Sequence, residues 1–431
     1  MTYDESLEYL SNLGKFGINL GLTRIQKLLQ LMHNPERRFK SIHVTGTNGK
    51  GSTTAMLAAI LQASGIRTGM YTSPHLSDYT ERMIIDGSQV GKKEFAEAIQ
   101  YTAKFVTQMT EQGWEHPTEF EVLTAAAFYY FAAAGVEYAV IEVGLGGLLD
   151  STNVIEPTIT VITNVALEHT DRCGNTLAEI ARHKAGIIKD KVPVVTAAQD
   201  EALGVINEVA QQNNAQVYLL GREFNSLLVG LDGWKQTVDF VRDKQPVQLK
   251  MNLIGSHQAE NCGLAVMAAL LIGETDQHVS WDSIKRGLNH AKWPGRFEII
   301  SGDPLIIIDG AHNPAGAKRL RENLDRLFID KEIVFLLGIL KDKDIRSIVK
   351  QLIKSDDSVV VAAPISDRAG EPDEIAREIQ ARYVVTAESV GVGLQKAKEL
   401  AGHDGIICVA GSLYLVGFAR EIIVSGQMCD C

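Results

Sequence analysis

The sequence predicts an α/β protein with two mostly parallel, doubly wound sheets. The first is P-loop-type and carries a small antiparallel patch; the second is Rossmann-like. Three observations lead there. Short apolar runs alternate with amphipathic stretches along most of the chain, the pattern of strands joined by crossover helices. The stretch 42–54, IHVTGTNGKGSTT, reads as strand, glycine-rich turn and helix start. The alternation breaks over 224–253 and restarts after Trp293-Pro294-Gly295-Arg296, which sets domains at 1–296 and 297–431.

Taken in order, residues 4–33 read as two short helices around Phe16-Gly17 and Gly21-Leu22. Ile42 and Val44 alternate with polar neighbours as a strand does; 52–64 is helix, with Gly65 where a C-cap glycine belongs. A strand ends at Tyr71, 92–112 is an amphipathic helix, 121–134 an apolar one, and 138–141 a buried strand ending in Glu142. Strand 159–163 opens into Asn164; helix 176–189, strand 193–196 and helix 202–213 follow. Over 224–253 short strands alternate around Asp232-Gly233 and Asp243-Lys244, an antiparallel patch, before helix 256–272. The second domain runs strand 305–308, helix 314–328, strand 333–337, helix 344–354, strand 359–362, helix 372–381, strand 383–385, helix 389–400, strand 406–409 and helix 413–424. It has no GxGxxG, so it is not read as a dinucleotide binder.

A net charge of −11 over 431 residues gives no basic field for nucleic acid. The five cysteines are scattered, without zinc spacing, which suits a reducing compartment; Cys429 and Cys431 read as a terminal tail. Residues 122–136 form the longest apolar run and are too short to span a bilayer. Asp4, Glu5, Glu8 and Lys15 argue against a signal peptide, so a cytoplasmic protein without membrane partners is expected; a monomer is expected as well.

The turn after the first strand has the parts of a phosphate cradle. Gly46, Gly49 and Gly51 let the backbone come close, free N–H groups point at the anion, and the helix N-terminus favours negative charge. Thr47, Asn48, Gly49, Lys50, Gly51, Ser52 and Thr53 line it. Lys50 would neutralise the β- and γ-phosphates, and Ser52 or Thr53 would offer a hydroxyl to Mg²⁺. The spacing departs from the general P-loop, because Val44 and Gly51 stand where a glycine and a hydroxyl are needed. Glu142, directly after a buried strand, suits Mg²⁺ at a phosphate site; taken alone it reads rather as a strand-end glutamate in a surface ion pair.

The string TGTNGKGS, residues 45–52, resembles the ATP loop of the Mur ligase superfamily, and most nearly that of the folylpolyglutamate synthase/dihydrofolate synthase family. IEVGLGGLLDSTNVI, 141–155, resembles the second signature of that family, with Leu148 where an arginine is expected. The family-like strings run from Phe16-Gly17 to Gly417 in family order.

That resemblance implies a role for each of several residues. Ser73, in Thr72-Ser73-Pro74-His75-Leu76, becomes a Mg²⁺ ligand; read alone it is a turn serine. His169 ligates a second metal ion, with Glu168 where aspartate is more usual and Cys173 where leucine is. Lys184, in HKAGIIK, is carbamylated by CO₂ and reaches a second Mg²⁺; read alone it is a solvated lysine. In GSHQxxN, Asn261 meets the nucleotide base. Arg296 meets the γ-phosphate, Asp309 the ribose, His312 the incoming amino acid and Ser412 a substrate carboxylate. Phe120 belongs to a folate pocket or simply starts a helix.

The implied reaction transfers the γ-phosphoryl group of ATP to a carboxylate of a reduced folate or of dihydropteroate. The amine of L-glutamate then attacks, giving an amide, ADP and phosphate. A cell-wall Mur ligase is the alternative enzyme. A nucleotide switch is the alternative class, but Asn-Lys-x-Asp is missing and Asp309-Gly310-Ala311-His312 would serve no purpose in it.

Overall fold

The computed structural model describes residues 1–17, 19–168 and 170–425, with Asp171 and Ser301 described by their backbone only. The chain divides into two compact units. The first comprises Met1–His75, Tyr79–Asn252 and Gln258–Lys292; the second comprises Leu76–Asp78, Leu253–His257 and the residues from Trp293 on. Trp293-Pro294-Gly295-Arg296 thus lies with the second unit.

The first unit is built on an eight-stranded sheet. Its strands are β1 (Lys40–Thr45), β2 (Thr68–Tyr71), β3 (Met83–Ile85), β4 (Ser88–Gln89), β5 (Tyr138–Glu142), β6 (Ile159–Ile162), β7 (Val194–Thr196) and β8 (Val217–Leu219). The spatial order is β4-β3-β2-β5-β1-β6-β7-β8, parallel except for the β3–β4 ribbon. β1 is central, between β5 and β6, with Val44 opposite both Glu142 and Val161. Helix Lys50–Ala63 follows β1 directly. Helix Glu119–Ala133 starts with the Thr118/Glu121 capping box and is buried nearly all round, as its uniform apolarity requires. One core gathers Phe128, Phe131, Leu123 and Ile141 on this side of the sheet; a smaller one packs helix Leu177–Ala185 against helix Asp200–Gln212.

The antiparallel patch is a separate three-stranded sheet, β9 (Asn225–Asp232), β10 (Lys235–Val241) and β11 (Val247–Met251), ordered β11-β10-β9. The second unit has six strands: β12 (Glu298–Gly302), β13 (Leu305–Ile308), β14 (Ile333–Leu337), β15 (Ser358–Ala362), β16 (Tyr383–Ala387) and β17 (Ile406–Ala410). They are ordered β12-β13-β17-β14-β15-β16, parallel but for β12. Cores lie on both faces, one around Ile307, Phe335 and Leu324, the other around Ile308, Leu336 and Leu415.

The expected α/β architecture holds, with differences in detail. β3, β4, β8 and β12 were not expected, being short or at sheet margins. β3 and β4 are joined by Asp86-Gly87, both at positive φ (48° and 75°), which is the mirror-image hairpin turn that Asp-Gly favours. The helix expected over 176–189 stops at Ala185, where the Gly186 N–H closes onto the Arg182 and His183 carbonyls. The helix expected over 372–381 ends at Arg377.

Candidate active site

The glycine turn is held from the side by the end of β6. Gly46 has φ 148°, and any Cβ there would overlap the Thr163 hydroxyl. That hydroxyl donates to the Asn48 carbonyl at 2.7 Å. Asn164 accepts from the Asn48 N–H at 2.9 Å and donates to the Asn48 carbonyl at 3.0 Å; its own carbonyl takes the Thr47 N–H at 2.9 Å. Gly49, φ 88°, lies so close to the Asn261 side chain that a Cβ would overlap the Asn261 Oδ1. Asn261 donates to Gln258 at 3.0 Å, and Gln258 donates to the Ser52 Oγ at 3.2 Å. Helix Ser256–Gly273 therefore braces the start of helix Lys50–Ala63 through three polar side chains. Lys50 folds back over its own turn, its Nζ 3.1 Å from the Gly46 carbonyl. The hydroxyls of Thr53 and Thr54 are buried without a hydrogen-bond partner.

On the other side of β1 stands Glu142, the last residue of β5, only 4 % exposed. Its Oε2 accepts from the Ser73 N–H at 3.3 Å, so the Thr72–His75 turn meets the strand end that the sequence singled out. The glycines that follow are demanded by close approaches. Gly144 faces the Phe120 ring and Asp150; Gly146, φ 67°, faces His183 and Cys173; Gly147 faces the carbonyls of His183 and Lys184. The Thr45 hydroxyl donates to the Gly146 carbonyl at 2.6 Å, which ties this segment to β1. Asp150 is fully buried and accepts from the Leu145 and Thr152 N–H groups at 2.8 and 2.9 Å; burial pushes its carboxyl up from the usual range, against those hydrogen bonds.

Lys184 is buried, not solvated, at 4 % exposure. Burial lowers its ammonium from the ordinary 10.5 to about 7, and the charge of Lys50 adds to the effect, partly offset by Glu168. His183 has both ring nitrogens buried without hydrogen-bond partners. Leu148 is 44 % exposed, held by its N–H to the His183 carbonyl at 2.8 Å. His169 lies outside the described residues.

Among the described residues no group of three or more His, Cys, Asp or Glu side chains is arranged to enclose a metal ion. At the ends of β1, β2 and β5 the first unit offers the buried carboxylate of Glu142 and the hydroxyls of Ser52 and Ser73. That set fits Mg²⁺, which keeps waters and phosphate oxygens and takes few protein ligands.

In the second unit three strand-end loops come together. Asp309 follows β13 and accepts from the Phe297 and Ala311 N–H groups at 2.8 and 2.9 Å; burial raises its carboxyl, and the nearby Arg296 guanidinium opposes that. Gly310 is packed against Arg296, whose Nη1 lies 2.8 Å from where a Cβ would stand. The Nδ1–H of His312 donates to the Gly310 carbonyl at 2.9 Å. The Gly411 N–H reaches the Ala311 carbonyl at 3.1 Å, which sets the β17 loop beside the β13 loop; Gly338, after β14, donates to Ala410 at 3.2 Å. Ser412, 1 % exposed, caps helix Leu413–Ser425 by accepting from the Leu415 N–H at 3.2 Å.

The first unit thus gathers Thr47, Asn48, Gly49, Lys50, Gly51, Ser52, Thr53, Ser73, Phe120, Glu142, Lys184 and Asn261, and the second gathers Arg296, Asp309, His312 and Ser412. Sequence reasoning gave no site role to Thr163, Asn164, Gln258 or Asp150. Position signalled two of them, since Thr163 and Asn164 stand just past an apolar strand beside the glycine turn.

The chain matches two families, the Mur ligase middle domain over residues 44–270 and the Mur ligase glutamate ligase domain over 295–413. It is 33% identical to a dihydrofolate synthase/folylpolyglutamate synthase of Bacillus subtilis, covering 97% of this chain and 98% of that protein. It is similar to a Mycobacterium tuberculosis folylpolyglutamate synthase solved with ADP and AMPPCP, at 32% identity and a TM-score of 0.89 over 98% and 99% of the two chains. An Escherichia coli protein solved with DHPP and ADP is 28% identical, with a TM-score of 0.89 over 99% of both chains. The two domain matches, the full-length identity and the shared fold agree: this chain belongs to the folylpolyglutamate synthase/dihydrofolate synthase family of Mur ligases.

Proposed function

We propose that the protein is an ATP-dependent ligase that adds L-glutamate to a folate through an acyl phosphate. One observation carries the reading: a glycine turn braced for anion binding lies on the central strand, with a buried carboxylate at the end of the neighbouring strand and a buried lysine close to Lys50.

In this reading the amides from Thr47 to Thr53 and the Lys50 ammonium take the ATP phosphates, while Asn261 and Asp309 take base and ribose. Lys50 leaves the Gly46 carbonyl to do so. Ser52, Ser73 and Glu142 hold a magnesium ion, and His169 holds a second. Mg²⁺ supplies charge neutralisation on the phosphates. Lys184 reacts as the neutral amine: its nitrogen bonds to the carbon of CO₂, loses a proton and becomes a carbamate, replacing a cation by an anion. A lysine lowered to about 7 has the free amine that this step needs at neutral pH.

Arg296 then stabilises phosphoryl transfer to the folate carboxylate. The glutamate amine attacks the acyl carbon, an amide forms and phosphate leaves. His312 and Ser412 orient glutamate, and Phe120, against Gly144, borders the acceptor. Positioning and electrostatics supply the catalysis, with no covalent nucleophile. Dihydropteroate is a second acceptor in this proposal, supported by the dihydrofolate synthase activity that names the B. subtilis relative. A monomer in the cytoplasm completes it.

The test is phosphate release from ATP, with tetrahydrofolate and dihydropteroate supplied separately and labelled glutamate as the amine. Release that needs both acceptor and glutamate, with label entering the acceptor, supports the reading. Release needing neither would make the protein a nucleotide switch, and turnover on a UDP-sugar peptide would make it a cell-wall ligase.

A further inference from the structure

Arg24 is a cation in an unfavourable place. It stands in the first turn of helix Thr23–Leu31, where the backbone already carries partial positive charge and the Leu22 cap supplies no side-chain acceptor. It is also buried, at 9 % exposure. A guanidinium so placed costs free energy unless its donors are met. Its Nε–H donates to the Glu121 Oε2 at 3.1 Å, its Nη2 to the Asn19 carbonyl at 2.5 Å and its Nη1 to Glu115 at 3.3 Å. The Glu115 side chain is 77 % exposed, so that last pair adds little.

Glu121 is the unusual partner. It closes the capping box of helix Glu119–Ala133: its Oε2 accepts from the Thr118 N–H at 2.7 Å, and the Thr118 hydroxyl accepts from the Glu121 N–H at 3.3 Å. Glu5 and Glu179, which close such boxes on other helices of this chain, are exposed. Glu121 is fully buried, and its Oε1 has no hydrogen-bond partner. A cap works without burial, whereas a buried carboxylate is costly until a cation meets it. Arg24 supplies that cation and ties the helix start to the Asn19 loop. The same loop is held at Gly21, whose N–H reaches the Leu149 carbonyl at 3.3 Å.

Phe120 lies between the two capping residues, at the second position of the helix. The tip of its ring is 2.5 Å from where a Cβ on Gly144 would stand, and its centroid is 6.2 Å from that of Tyr71. The path of the first turn sets the direction of that ring. Every residue in this arrangement belongs to the first unit.

We propose that Arg24 is a positioning residue for acceptor binding: held on Glu121, it fixes the first turn of helix Glu119–Ala133 so that Phe120 lies over Gly144. This rests on the acceptor-side role proposed above for Phe120, but its first test does not.

That test is backbone hydrogen exchange on the full chain without ligands, comparing the wild type with R24M and R24K. Loss of a hydrogen bond to a charged group raises local opening by about tenfold or more. R24M is therefore expected to speed exchange over 118–122 by that factor, relative to helix 50–63 of the anion cradle. R24K keeps a charge but lacks the fork that meets Glu121 and the Asn19 carbonyl together, and falls between. The second test is a double-mutant cycle on the acceptor KM with tetrahydrofolate, using R24M, F120A and R24M/F120A. Each single variant is expected to raise that KM about tenfold with the ATP KM within about twofold, and the pair to go little beyond F120A alone. A merely structural arginine would lower the melting temperature, and its effect on the acceptor KM would add to that of F120A. Unchanged exchange over 118–122 in R24M, or full additivity in the cycle, overturns the proposal. If exchange responds but the wild type shows no folate- and glutamate-dependent phosphate release, the hold of Arg24 on the helix start stands and the functional reading fails. Should R24M not fold, R24K against the wild type decides.

Discussion

Replacing Lys184 by methionine is expected to stabilise the first unit, and to do so most below about pH 7. The ammonium falls from 10.5 to about 7, chiefly by burial. At 1.36 kcal/mol per pH unit that is about 5 kcal/mol acting against the charged form. Relaxation and water entry reduce such figures, so a gain of about 2–4 kcal/mol is expected for the variant at pH 6.5. Below about 7 folded and unfolded chains both carry the proton, and the folded state bears the full cost. Between about 7 and 10.5 the unfolded chain binds more protons than the folded one, so wild-type stability rises with pH. The advantage of K184M therefore shrinks over that window. Urea unfolding of both proteins at pH 6.5, 8 and 9.5, in CO₂-free buffer with chelator, measures it. Stability curves that run parallel across the window would refute the reasoning. Added bicarbonate should then stabilise the wild type and leave K184M unmoved, if the free amine takes up CO₂.

Three further outcomes are expected. E142Q should keep its melting transition, because an amide oxygen still accepts from the Ser73 N–H, yet lose turnover; near-normal kcat would contradict the role given to Glu142. G49A forces a left-handed residue to carry a side chain and displaces Asn261; about 1–2 kcal/mol of strain and about 1 kcal/mol for the Asn261–Gln258 hydrogen bond should appear in calorimetry, with a weaker nucleotide Kd. R321M breaks the pairing of Arg321 with buried Asp357 (3.1 and 2.8 Å) and with Asp325, and should destabilise the second unit by about 3–5 kcal/mol in denaturant melts.

Local chemistry was the legible part. Glycines at positive φ in the Gly46–Gly49 turn, an apolar strand ending in Glu142, and the Thr118/Glu121 cap each act within a few residues, so the string displays them. The second unit was readable strand by strand because parallel strands buried on both faces are continuous apolar runs. The hidden part depends on distant partners. Lys184 sits in the last turn of an amphipathic helix, where a lysine looks solvated, yet in the fold it is 4 % exposed, with its carbonyl against Gly147. Asn164 is an ordinary loop residue until β6 lies next to β1. Leu76 meets Gly417 across more than three hundred residues, and nothing near either one announces the other.

The order β2-β5-β1-β6 has a consequence for how such an enzyme could be altered. The turn on β1 is braced from β6 by Thr163 and Asn164, whereas Phe120 meets Gly144 on the opposite flank, just past the end of β5. If Phe120 borders the acceptor, as proposed above, remodelling that contact for a bulkier or differently charged acceptor leaves the Thr163 and Asn164 braces of the anion cradle untouched. On that reading, redesign of acceptor choice and preservation of the energy source are separable tasks assigned to different neighbours of one strand.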